Sequence, residues 1–399
     1  MLRAACSSFR AISTIFQQFV LHGKLERAPE PETLIQWEMK LGLHKLQRPK
    51  AANEEWTWLA DHVIRLGRYK CLVIVGVRTA VLRKRGNLTV SLEDLEPMTI
   101  LPMTESNGSL VANKLEETMT RVGFAPKSLV IDHGSDLRAG AALSARSHPG
   151  MRVHCDVAHK VACEIKRRLD TDSWMIMMGK AAETRKSLIL SKCAQFAPPN
   201  QRVKARYMNL DTLVNWGCNT LKDYAGLPQE VREKTSWLLP LHRDLLLWQE
   251  WVQVGKITRD VIRTEGFYEG VEVLLMDRII GMNLSKESEE LTEVLVDYVQ
   301  AEGAGIAYDA RVVGTTESLE GLFGGYKRMV GENRMSANGL GRLILCMSSR
   351  TGELSETLTR EAMTHVRCRD VRSWLTQAFG SGKSIFGREM ETSTQRGCA

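Results

Sequence analysis

Several signatures are missing from this 399-residue sequence, and each absence closes off a class of chemistry. No run of about 18 apolar residues is available to cross a bilayer, because the apolar stretch 71–77 is strand-sized and followed by Arg78, so no membrane partner is expected. The nine cysteines stand singly, without a C-x-x-C pair, which fits a reduced intracellular protein. Cys155, His159 and Cys163 lack a second ligand pair at zinc spacing, so no zinc site is expected. The glycine-rich stretch 380–384 carries Gln377 where a phosphate-binding loop needs its first glycine. No G-x-S-x-G nucleophile elbow occurs, and a Ser-His-Asp grouping drawn from the nine histidines would be arbitrary.

What is present is an ordinary globular composition, 43% hydrophobic and 25% charged, long enough for a large core with appended modules. The net charge of +7 suits a polyanionic partner, since Lys and Arg gain free energy by releasing counterions condensed on phosphates. Phe9, Ile12, Phe16 and Phe19 recur at helical spacing, and a second helix is predicted from Pro31, with acids in its first turn and His44 and Lys45 at its end. The pair reads as a helix-turn-helix or, equally, as a helical hairpin packed on the core. A strand over Trp56–Leu66, a continuously apolar strand at 71–77, a helix over Gly108–Val122 and an apolar strand over Ser128–Ile131 then give an α/β texture. A short helix at 137–145, a strand at 151–155 and a basic helix from Ala158 come next. Residues 170–310 lack strand alternation and hold Trp174, Trp216, Trp237, Trp248 and Trp251, the mark of a helical insertion. Its loop 198–207 interleaves Arg202, Lys204 and Arg206 with Tyr207, a pattern that tracks a nucleic-acid backbone or simply faces solvent.

Three carboxylates stand out. Asp61 sits within a strand between Leu59 and Val63, where it needs a cation, either a metal ion or a Lys or Arg partner, unless it faces solvent on an edge strand. Asp132 ends an apolar strand at Asp-His-Gly-Ser-Asp, the strand end where α/β sheets place ligands, although an Asp before Gly134 also forms turns. Asp136 reads as the N-cap of the next helix. Glu320 and Lys327 lie two helical turns apart on one side of a helix whose opposite stripe is apolar. Gly321, Gly324 and Gly325 weaken that helix by about 1 kcal/mol each relative to Ala, which points to a tight helix–sheet contact or to room for an external strand.

In this order, with Trp-Leu-Ala-Asp-His at 58–62, Ala-Pro-Pro-Asn-Gln-Arg-Val-Lys-Ala-Arg-Tyr at 197–207 and Glu-Ser-Leu-Glu-Gly-Leu-Phe-Gly-Gly-Tyr-Lys at 317–327, the chain resembles the DDE-type transposases of bacterial insertion sequences. The resemblance implies an α/β fold with a ribonuclease-H-like mixed sheet and flanking helices, a large mostly α-helical insertion, and a short N-terminal helix-turn-helix-like module. The expected division is 1–50 for DNA recognition, 51–169 for the first part of the catalytic core, 170–310 for the insertion, 311–379 for the last core helix and C-terminal helices, and 380–399 for a flexible tail. It implies that Asp61, Asp132 and Glu320 hold two Mg²⁺ or Mn²⁺ ions, and that Lys327 contacts DNA. Asp156-x-x-His159 is similar to the (Cys/Asp)-x-x-His signature of Mutator-like and hAT-like relatives. The implied activity is phosphodiester hydrolysis and strand transfer at transposon ends. The implied partner is double-stranded DNA, bound by a homodimer or higher oligomer in a cytoplasmic, nucleoid-associated setting. A nuclease without strand transfer and an inactive, transposase-derived DNA-binding protein are the alternatives.

Overall fold

The computed structural model describes residues 8–66, 69–103, 105–200, 210–330 and 337–379. In chain order the elements are α1 (Phe9–Leu21), α2 (Pro31–Gln47), β1 (Trp56–Leu66), β2 (Tyr69–Arg78), α3 (Thr79–Lys84), β3 (Leu95–Met103), α4 (Gly108–Val122), β4 (Ser128–Ile131), α5 (Ser135–Ser147) and β5 (Arg152–Cys155). Beyond β5 the chain forms α6 (Val157–Arg168), α7 (Asp172–Leu188), α8 (Leu210–Lys222), α9 (Gln229–Thr235), α10 (His242–Glu265), α11 (Val271–Ile279) and α12 (Lys286–Gly303). It ends with α13 (Glu317–Val330), α14 (Ala337–Arg350), α15 (Glu356–His365) and α16 (Cys368–Phe379). No helix among the described residues is long and apolar enough to cross a membrane. Two compact units result, Met1–His154 with Thr316–Ala399, and Cys155–Thr315.

The first unit is mixed α/β, built on a sheet of order β3-β2-β1-β4-β5 among the described residues. β2 pairs antiparallel with β1 and β3, whereas β4 runs parallel to β1. The continuous apolar run of β2 is explained by its central place, with Cys71, Leu72, Val73, Ile74 and Val75 buried. Side chains alternate along β1: Trp56, Trp58 and Ala60 join Leu129 and Ile131 of β4 in a core with Val111 and Leu115 of α4 and Leu137 of α5. Thr57, Leu59 and Asp61 therefore belong to the other face. There α13 packs against β1, and its buried Leu319, Leu322 and Phe323 stand outside the α4–α5 core. β3 is not visible in the hydrophobic pattern because Pro97 and Pro102 interrupt it, and proline is tolerated because β3 is an edge strand among the described residues.

Met39 and Leu43 of α2 share a cluster with Leu345 of α14, Val366, and Val371 of α16. The approach is close, since a Cβ on Gly42 would collide with the Leu345 carbonyl oxygen. Thus α2 is a core helix, and the link 22–30 is longer than the three- or four-residue turn of a helix-turn-helix. The packed hairpin describes α2.

The second unit is helical, as read from its tryptophans. Trp174 meets Trp248 edge to face at 5.1 Å inside a core that also buries Val214, Leu245, Leu275, Leu291 and Leu295. It extends beyond the expected 170–310, because Val157, Val161 and Ile165 of α6 belong to this core and Phe267 bridges Val312 at its far end. The segment 380–399 lies outside the described residues.

Lys45 is 1% exposed, yet its ammonium donates to the carbonyls of Ser349, Thr351 and Gly352 at the C-terminal end of α14, where the helix dipole favours a cation. Lys50 is buried beside it and donates to the Lys45 carbonyl at 2.7 Å. Burial lowers both ammonium groups from 10.5 to about 8. Between these values the unfolded chain binds more protons than the folded one, so stability rises as pH climbs from about 8 towards 10.5. The gain is on the order of 3 kcal/mol per lysine. Urea midpoints of the wild type should climb, relative to those of Lys45→Met, between about pH 7.5 and about pH 10. Parallel profiles would remove Lys45 from that linkage.

Candidate functional site

Asp61 faces Val73 across the antiparallel ladder, on the sheet face against which α13 packs. On its other side the parallel ladder pairs Leu59 with Val130 and Ala60 with Ile131. One residue beyond the last parallel pair come Asp61, in the middle of β1, and Asp132, directly after the carboxyl end of β4. Each carboxylate has a local amide donor. The His62 N–H donates to Asp61 Oδ1 at 2.6 Å, and the Gly134 N–H donates to Asp132 Oδ1. Asp132 thus makes the tight turn that an Asp before Gly134 suggests, without leaving the strand end.

Asp136 is not the N-cap of α5. Gly134 holds that position, and Asp136 lies in the first turn with its Oδ1 accepting from the Leu137 N–H at 3.0 Å. Its Oδ2 accepts from the Ser106 hydroxyl and lies 3.6 Å from His62 Nδ1. Ser106 Oγ is also 3.2 Å from His62 Nε2, and the His62 side chain is only 6% exposed. Ser, His and Asp therefore do meet, against the sequence-based expectation. The hydroxyl donates to the carboxylate rather than to the imidazole, which is not how a base activates a nucleophile. Nothing in the sequence signals this cluster, whose members come from β1, the segment before α4, and α5.

A Cβ on Gly134 would sit 2.9 Å from Asp132 Oδ1 and 3.0 Å from Asp136 Oδ1. The two carboxylates thus flank one glycine at the amino end of α5, where the helix dipole stabilises negative charge. An open cavity of about 700 Å³ lined by Asn53, Glu54, Glu55, Lys127 and His148 lies at the opposite end of β1 and β4, so it is not part of this acidic region.

Glu320 is exposed in the first turn of α13, next to the buried Leu319. A Cβ at Gly321 or Gly324 would meet nothing within 4 Å among the described residues, so tight packing does not account for either glycine. The side chain of Lys327 and the whole of 201–209, with Arg202, Lys204 and Arg206, lie outside the described residues. Asp61 and Asp132 thus follow the last paired residues of β1 and β4, and the Glu320 helix packs against β1, but no three His, Cys, Asp or Glu side chains among the described residues form a metal-holding group.

Asp156 and His159 belong to the second unit. Asp156 is 4% exposed and caps α6, its Oδ1 accepting from the Ala158 N–H at 3.1 Å, while His159 is half-buried in the first turn. The basic end of α6 is partly neutralised within the helix, because Lys160, Arg167 and Arg168 all converge on Glu164 at 2.7, 2.7 and 2.9 Å. Burial works to raise the Glu164 carboxyl, but hydrogen bonds from Lys160 and Arg168 outweigh it and hold the group below its usual range.

No protein-family model matches the chain, and no curated protein matches it. The cap gives a direct expectation for Asp156. Replacement by Ala should cost about 1 kcal/mol in chemical denaturation, and replacement by Ser should restore most of it. Equal losses for both variants would mean that Asp156 acts other than as a cap.

Proposed function

We propose that this chain is a DDE-type DNA transposase with a ribonuclease-H-like core, acting on phosphodiesters at transposon ends through Asp61, Asp132 and Glu320. The observation that supports this reading is the parallel pairing of β1 with β4, whose last pair, Ala60 with Ile131, directly precedes Asp61 and Asp132. The order of elements supports it too: an Asp-bearing strand, its antiparallel partner β2, the strand β3 paired to β2, a helix, a strand followed by Asp, a further strand, a helical unit, and a returning helix with Glu320. That helix packs against the strand of Asp61.

The donor set is made of carboxylate oxygens, which suit Mg²⁺ or Mn²⁺ rather than zinc. Asp61 and Asp132 fit such ions as a neighbouring pair, with Glu320 as the third ligand in this reading. Two such ions, when bound, stabilise charge on the attacking and leaving oxygens of a phosphodiester. The protein's own part is to hold its carboxylates: the His62 amide orients Asp61, the Gly134 amide orients Asp132, and the amino end of α5 lowers the cost of gathering negative charge. The open glycine strip beside Glu320 leaves room for a DNA strand, and Lys327, Arg202, Lys204 and Arg206 serve as its phosphate contacts. A non-catalytic, transposase-derived DNA-binding protein is the second reading, and it draws on the lack of a three-ligand group among the described residues.

Asp132→Asn separates the two readings. Asparagine keeps an oxygen to accept the Gly134 N–H, so thermal unfolding should be unchanged, while Mg²⁺-dependent nicking of the element's own flanking DNA should fall by more than about 100-fold, beyond what losing a merely supporting group costs. DNA binding without Mg²⁺-dependent nicking in the wild type would favour the second reading. Gly321→Ala should raise stability by about 0.5–1 kcal/mol, because the new methyl group meets open space on a helix. The same change should weaken nicking, and full nicking with that gain would take the glycine strip off the DNA path.

A further inference from the structure

Resting on the reading above, we propose that His62, Ser106 and Asp136 are positioning residues that hold Asp61 and Asp132 in place for a divalent cation. His62 is the hinge of the arrangement. Its amide donates to Asp61 Oδ1 at 2.6 Å, and its ring, 6% exposed, lies 3.6 Å from Asp136 Oδ2. One residue therefore touches the first carboxylate through its backbone and the α5 turn through its side chain.

Asp136 passes the constraint on. Its Oδ1 is tied to the Leu137 amide at 3.0 Å and its Oδ2 to the Ser106 hydroxyl, so neither oxygen is left to swing. Its carboxylate borders Gly134, the residue whose N–H orients Asp132 and whose missing Cβ leaves space between the two carboxylates. Ser106 closes the set from the segment before α4, lying 3.2 Å from His62 Nε2. Three separate segments of chain are thus fastened at the point where β1 and β4 present their acids. If the α5 turn loosened, Asp132 would lose the Gly134 amide that orients it, although neither ligand had been changed. Groups that orient metal ligands in this way typically govern affinity by about 10–100-fold.

Mn²⁺ binding to the full-length protein tests this without relying on turnover. Free Mn²⁺ is followed by electron paramagnetic resonance, and the Mn²⁺-induced rise in unfolding temperature is measured in parallel. The wild type should bind, and Asp132→Asn should lose binding. Ser106→Ala and Asp136→Asn should bind Mn²⁺ about 10–100-fold more weakly, and Ser106→Thr, which keeps the hydroxyl, should regain affinity. A purely structural role would lower the metal-free unfolding temperature and leave the Mn²⁺ affinity of the folded fraction unchanged. That result for both Ser106→Ala and Asp136→Asn, alongside lost binding in Asp132→Asn, overturns the positioning role and spares the metal site. A wild type that binds no Mn²⁺ overturns both.

Discussion

The parallel hydrogen-bonded ladder between β1 and β4 is the constraint on which the rest of the acidic region depends. Its register pairs Ala60 with Ile131, so Asp61 on β1 and Asp132 just past β4 each come one residue after the last pair. A slip of one residue would send Asp61 to the opposite face, among Trp58, Ala60 and the α4 side chains, where a carboxylate has no place. The apolar alternation of Trp56, Trp58 and Ala60 against Leu129 and Ile131 opposes that slip, so hydrophobic burial on one face determines where charge sits on the other.

Holding two carboxylates side by side is unfavourable by itself, and the structure offsets this locally. Each accepts a backbone N–H, and α5 begins three residues after Asp132, so its positive end lies near that carboxylate. These donors are fixed by strand and helix geometry, so they lose little freedom on meeting a charge. The same economy explains Gly134, whose φ of −58° any residue could adopt. What the position requires is the absence of a side chain between two carboxylates, not backbone freedom.

Much of this was legible along the chain, and the parts that were not have physical reasons. The apolar runs of β2 and β4, the stripe of α4 and the odd placement of Asp61 within β1 are local patterns, set by burial of one face or two. β3 escaped because its prolines imitate a loop, and only its edge position makes them tolerable. Asp136 looked like a cap because Asp commonly precedes helices, but the chain enters α5 two residues earlier. The Ser106–His62–Asp136 contact joins residues up to 74 positions apart when Asp136 is counted from His62, and no periodicity encodes such a meeting. The sequence order groups α6 with the sheet because it comes directly after β5, whereas its apolar side is committed to the helical core beyond.

Glu320 depends on a different kind of anchor. The chain leaves the first unit after His154 and returns at Thr316, so the position of α13 must be secured by the helices C-terminal to it. α14 supplies this by packing on α2, with Gly42 against the Leu345 carbonyl and the Lys45 ammonium on the carbonyls at its end. A buried lysine is an expensive way to join two helices, as its lowered pKa attests. Apolar residues alone would leave the α14 carbonyls unsatisfied in the interior, at about 1–3 kcal/mol each. A cation serving several carbonyls at once satisfies them and fixes the end of α14 relative to α2, which an apolar contact free to slide would not do. In the first unit, α2 thereby helps to set the place from which the third carboxylate is presented.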